Sequence, residues 1–271
     1  MLILSRVRWW TSVTLFLALV VCFALSSAVF AVGPGDPPLQ ISSDPYTNST
    51  SQHQTEVEPD SYSSGSTIVA AIQVGRFTDG GASNIGWETS TDNGTTWKNG
   101  FLPNTTVYAT PPGPYERLSD PSVTYDAAYQ RWIIASLAVS NASGSPVGAA
   151  AIVSFSSDGG LTWNPPVEVA NANGGFFDKD WIVCDNTSTS PFYGHCYVEW
   201  DLASNGDRVQ MSTSSDGGST WSTGQATADT ASGLGGQPLV QPNGTVIVPF
   251  LGSASTISAF TSTDGGASWG S

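Results

Sequence analysis

The apolar residues of this chain fall in short runs of about six to nine, each bounded by Gly, Asp, Ser and Thr. Runs of that length, enriched in β-branched and aromatic residues, predict strands rather than helices. Residues 66–74 predict a buried strand and 84–89 its neighbour. The same reasoning marks 132–139, 149–155, 195–201, 208–213, 239–241, 245–251 and 256–261. Stretches 120–126 and 178–185 open two further groups. One longer apolar run stands at the start: Arg6 and Arg8 precede 13–25, and Val29-Phe30-Ala31 follows. That order reads as a secretory signal over residues 1–31, cleaved after Ala31. An uncleaved anchor is the other reading, because 11–32 carries no charge and nearly spans a bilayer. Leu19-Val20-Val21-Cys22 departs from a lipoprotein attachment site at Val21, where a small residue is needed. Residues 32–53 are rich in Pro, Gly, Ser, Thr, Asn and Gln and read as a flexible linker.

Four octads of the form Ser-x-Asp-x-Gly-x-x-Trp punctuate the predicted strands. They run from Ser90 to Trp97, Ser156 to Trp163, Ser214 to Trp221 and Ser262 to Trp269. Their aspartates, Asp92, Asp158, Asp216 and Asp264, are 66, 58 and 48 residues apart. Self-similarity at such a period signals a propeller or a solenoid. Asp-Gly and Asn-Gly supply the positive-φ positions of a tight turn. The Ser and Asp side chains can bond backbone N–H groups inside it. Trp97, Trp163, Trp221 and Trp269 can fold back over the turn. Each octad follows a predicted strand, so each reads as a corner between antiparallel strands rather than as a metal site.

These octads resemble the Asp-box (BNR) repeats of the sialidase-like β-propeller superfamily. The resemblance implies an all-β propeller whose boxes join the third and fourth strands of each blade, at the rim away from the ligand face. The boxes are then scaffold. Blades are expected over about 54–115, 116–172, 173–230 and 231–271, the last incomplete. Members of the superfamily have six blades, and this chain supplies about four. Either the sequence is a piece of a six-bladed propeller, or a strand near 38–60 completes the last blade and closes a smaller ring.

Charge narrows the partners. There are 8 Lys+Arg against 22 Asp+Glu, a formal charge of −14, and losing Arg6 and Arg8 with the signal leaves six cations. So acidic a surface repels phosphate backbones, which argues against nucleic acid. A membrane would be met only through residues 1–31, if they are retained. Cys22 lies in the signal, leaving Cys184 and Cys196 in an exported chain. A disulfide closing the intervening hairpin is expected, with two buried thiols as the alternative. His53 and His195 are the only histidines, which argues against zinc. No metal or cofactor is expected on these grounds, although Asp178, Asp180 and Asp185 could offer oxygens to calcium. Six Asn-x-Ser/Thr sequons, at Asn48, Asn93, Asn104, Asn141, Asn186 and Asn243, matter only in a glycosylating host.

By the same resemblance, Arg76 and Asp79 sit where sialidases carry an arginine and then an acid/base aspartate upstream of the first box. A cation would hold an anionic sugar while the carboxyl group protonates the glycosidic oxygen. The plainer reading is a polar loop with a turn-forming Asp before Gly80-Gly81. Arg117 could face the same site, or pair with Glu116 or Asp120. The chain also departs from the superfamily pattern. The Phe/Tyr-Arg-Ile-Pro motif is absent, and Glu56-Val57-Glu58-Pro59-Asp60 stands in its place. Gln237 stands before Pro238 where a glutamate is expected, and Pro249-Phe250-Leu251 where an arginine is expected. The expected function is an exported propeller that acts on or binds extracellular glycans or glycoproteins. It is either an exo-α-sialidase-like glycoside hydrolase or a non-catalytic, glycan- or protein-binding adhesive module.

Overall fold

The computed structural model of the chain describes residues 38–140, 145–252 and 255–270, so the signal segment 1–31 lies outside them. The short apolar runs become strands: β1 Glu56–Ser64, β2 Thr67–Arg76, β3 Ala82–Ser90 and β4 Lys98–Phe101. Then come β5 Arg117–Asp126, β6 Arg131–Ser140, β7 Val147–Ser156 and β8 Val167–Asn171. β9 Phe177–Cys184, β10 Cys196–Leu202, β11 Arg208–Ser214 and β12 Gln225–Ala226 follow. The last are β13 Gly233–Leu234, β14 Leu239–Val240, β15 Val246–Gly252 and β16 Ile257–Ser262. The only helical element among the described residues is one 3-10 turn, Ala203–Asn205. No helix among them is long and apolar enough to cross a membrane.

β1–β4, β5–β8 and β9–β12 are three antiparallel meanders, called blades A, B and C below. Blade D has β16 on one edge of β15, with β14 and β13 on the other edge at its two ends. Only single residue pairs bridge successive meanders, Ala82 with Leu118 and Gly148 with Phe177. The first strands β1, β5 and β9 instead pack side by side, and β14 packs beside β9. Small up-and-down sheets set face to face around their first strands are the architecture of a propeller. Among the described residues the sheets do not close into a ring, and β1 pairs only with β2, so the early strand belongs to blade A and does not complete blade D. The stretch read as a linker lies, from residue 41 on, in the same compact unit as the blades. Asn99 Nδ2 donates to the Ile41 carbonyl at 2.9 Å, Tyr46 stacks edge-on with Phe101 at 5.3 Å, and Ser51 bridges Phe77. A polar segment can dock this way because the contacts are mostly hydrogen bonds.

Three apolar cores fill the spaces between blades. Val69, Ile85, Leu118 and Ile152 lie between A and B; Ile133, Val153, Ile182 and Trp200 between B and C; Tyr197, Met211, Val248 and Phe260 between C and D. Each octad turns the chain after the third strand of its blade, and those of blades B, C and D also meet the blade before. In all four, the first Ser donates to the Asp at 2.8 Å. The Asp accepts the N–H four residues on at 2.8 to 3.0 Å. Three of the four tryptophans donate to the octad's own glycine carbonyl. These bonds hold the Asp92 and Asp158 carboxyl groups down at about 2: for Asp92 the Thr96 hydroxyl contributes most, whereas for Asp158 the bonds prevail over the opposing effect of burial. The preceding blade then reaches across. Thr89 Oγ1 donates to Gly160 O at 2.8 Å, and Arg131 Nη1 to Gly217 O at 2.8 Å. At Gly266 a Cβ would lie 2.2 Å from Thr213 Oγ1. Glycine there serves both the turn and the close approach of two blades.

Cys184 and Cys196 form a disulfide between the end of β9 and the start of β10. The bond closes the 185–195 hairpin loop, whose unfolded freedom it removes. Replacing both cysteines by serine is expected to lower unfolding free energy by about 3 kcal/mol, measured by urea titration under non-reducing conditions.

Candidate functional site

The turn 77–81 joins β2 to β3 at the end of blade A opposite its octad, because β3 runs from that turn to Ser90. Arg76, Asp79 and Arg117 meet here although Arg117 is 38 residues beyond Asp79. Arg76 Nη1 donates to the carbonyls of Phe77 at 2.7 Å and Gly81 at 3.0 Å, so it clamps its own turn. Arg117 is 5% exposed. Its Nη1 donates to Asp79 Oδ1 at 2.6 Å and to Gly80 O at 2.8 Å, and its guanidinium lies 4.2 Å from the Phe77 ring centre. The bond to Arg117 lowers the pKa of Asp79 below the usual carboxylate value, against the opposing effect of desolvation. A general acid needs the opposite shift. The geometry is a closed ion pair over an aromatic ring, with each arginine committed to backbone oxygens.

Beside this turn a cleft of about 200 Å³ opens, lined by Asp79, Ser119, Asp120, Pro146, Phe177 and Asp178 among others. Its polar edge is acidic and its wall is apolar.

The composition of the edge follows from a repeated irregularity in the first strands. Register breaks between Val57 and Asp60 in β1, and between Ser119 and Ser122 in β5. It breaks again in β9, where Asp180 and Asp178 face the adjacent Trp200 and Asp201. The bulged residues Glu58, Asp120 and Lys179 all have positive φ, at 56°, 50° and 44°. Bulges re-aim side chains at such places. Lys179 Nζ donates to Asp120, and Gln73 Nε2 donates to Glu58. Burial, then the Asp120 charge, raises the pKa of Glu58. Gln237, also followed by proline, holds the matching place before β14 in blade D and is exposed. At the three bulges the chain presents Glu58, Asp120 and Lys179, and before β14 it presents Gln237. The recurrence Glu58-Pro59, Asp120-Pro121, Gln237-Pro238 was the signal in the sequence that could have revealed this set.

The three acids considered for calcium do not converge. Asp178 lies near the start of β9 and accepts the Lys179 N–H at 3.0 Å. Asp185 follows the far end of β9, is fully buried, and accepts the Thr187 N–H at 3.0 Å and the Ser190 hydroxyl. Asp180 is 3% exposed, with no hydrogen-bond partner among the described residues, and burial pushes its pKa well up. Nor does the grouping with metal-ligand spacing, Asp126 with Cys184 and Cys196, offer thiolates, since both sulfurs are in the disulfide. Glu199 and Asp201 are buried between blades C and D, beside the Gly235-Gly236 backbone. Burial raises both, Asp201 to about 7.

No protein-family model matches the chain, and no curated protein matches it in sequence. Its structure is similar to that of an unknown-function protein from Dyadobacter fermentans, with a TM-score of 0.59 and 19% identity over 78% of this chain and 63% of that one. It is also similar to the intramolecular trans-sialidase from Ruminococcus gnavus, with a TM-score of 0.59 and 14% identity over 81% and 70% of the two chains. A third neighbour is the Hadza microbial sialidase Hz136, with a TM-score of 0.58 and 15% identity. That match covers 79% of this chain and 45% of the other. The matches thus span between 45% and 70% of these neighbours' length. The chain has the sialidase-like β-propeller fold.

Proposed function

We propose that this is an exported propeller that binds extracellular glycans at the face carrying Asp79, Asp120 and Asp178, and that it does not hydrolyse sialosides. The single observation behind this reading is that the buried Arg117 is paired with Asp79 and Gly80, while Arg76 turns its Nη1 to the 77–81 backbone. A sialic acid carboxylate would meet Asp120 and Asp178 beside a guanidinium already paired with Asp79. A carboxyl group paired with arginine is ionised at neutral pH and has no proton to give. The solved neighbours that are sialidases and trans-sialidases support a glycan as the ligand class. The acidic edge and apolar wall of the cleft favour neutral or amino sugars over acidic ones. Export is supported by the leader pattern and by the disulfide.

The test is turnover of a fluorogenic sialoside and a panel of neutral glycosides by the native chain and by Asp79→Asn, with a glycan array alongside. The expected result is array binding of neutral or amino sugars and no turnover of any substrate. Sialoside hydrolysis that Asp79→Asn abolishes would instead establish the glycosidase reading, with Asp79 as its acid.

A further inference from the structure

We propose a second saccharide site, for a neutral glycan chain, in the groove between blades B and C. The groove has a volume of about 490 Å³ and shares only Phe177 with the cleft beside Asp79. Outer strand β8 forms one wall; Trp200, Gln210 and Trp221 of blade C form the other.

The corresponding space between blades A and B is filled by the chain itself. There the connection after β4 runs from 102 to 116, with Leu102 only 1% exposed and Tyr115 packed on the core between the blades. The connection from β8 to β9 is only 172–176, and the space it borders stays open. Trp200 is 2% exposed, yet its indole N–H finds no acceptor among the described residues. A buried donor without an acceptor costs roughly 1–3 kcal/mol, so such groups usually have a partner.

The chemistry of the walls selects a sugar. Trp221 is half-buried and offers an indole surface to the C–H faces of a pyranose. Asn171, Asn173 and Gln210 each bond within the chain through one amide hydrogen, to Glu168, Asn171 O and Val209 O, and have a second amide hydrogen for a hydroxyl group. The only charged residue lining the groove is Glu168, bonded to Asn171 Nδ2 at 3.0 Å, which disfavours an anionic chain.

The test is calorimetric titration of the full chain with four neutral oligosaccharides: cellohexaose, xylohexaose, chitohexaose and laminarihexaose. Indole fluorescence is followed in parallel. At least one is expected to bind and to change the fluorescence. Ala172→Trp, which fills the groove, and Gln210→Ala should each weaken that binding roughly ten-fold or more at unchanged melting temperature. Asp79→Asn should leave it intact, so the groove and the Asp79 face can fail separately. The proposal is overturned if none of the four binds, or if the groove variants bind as the native chain does.

Discussion

The urea midpoint of this protein will be higher at pH 5 than at pH 8. Five acids are buried in the fold with pKa values raised by burial: Glu88 to about 8, Asp201 to about 7, Asp126 upward, and Asp180 and Glu199 well up. Each binds its proton more tightly folded than unfolded. The stabilisation is therefore fully present below the unfolded values near 4 and is lost as pH rises through the folded ones. For Glu88, 2% exposed and further raised by Glu56, the loss across that window is on the order of 4 kcal/mol. The net charge of −14 adds self-repulsion in the same direction. Glu88→Gln is expected to raise stability at pH 8 and to flatten the profile. Below about pH 4 the slope should reverse. Asp92 and Asp158 have depressed values, so their contribution is present above the unfolded pKa and is lost as pH falls toward about 2. A midpoint that is equal at the two pH values, or higher at pH 8, would show that these acids are not buried as described.

Gly148→Val is expected to destabilise by more than about 3 kcal/mol or to prevent soluble folding. Gly148 is where β7 pairs with β9, the one strand bridge between blades B and C among the described residues. A Cβ there would lie 2.0 Å from the Phe177 carbonyl oxygen and 2.8 Å from its carbon. Neither is the end of a flexible side chain, so the blades themselves must move apart. At Gly270 the nearest atom to an added Cβ is 3.5 Å away, and Gly270→Ala should change the midpoint by less than about 0.5 kcal/mol. Urea denaturation of both variants checks the pair. Equal effects at the two positions would mean that the B–C junction tolerates a side chain.

Third and middle strands were legible in the sequence because their apolar runs are bounded by turn residues; β3, β6, β7, β11 and β16 lie within a few residues of the predicted spans. The outer strands β4, β8 and β12 were not. They are two to five residues long and mostly polar or half-exposed, so they carry no apolar run to detect. Arg76 and Asp79 are near in sequence, but the pairing of Asp79 with Arg117, rather than of Arg117 with Glu116 or Asp120, could not be read. Whether an arginine faces a ligand or a carboxylate depends on where the next blade sets its first residue.

By itself the sequence determined the repeat, the chemistry of the four corners and the apolar runs of the larger strands, because these rest on contacts within a few residues or on composition. Tertiary structure alone decided that Glu58, Asp120 and Lys179 bulge at matching places, that Asp180 and Glu199 are sealed from water, and that one interblade groove is filled while the next is open. Those outcomes arise where separate blades meet, and contacts between distant segments leave no local pattern in the chain.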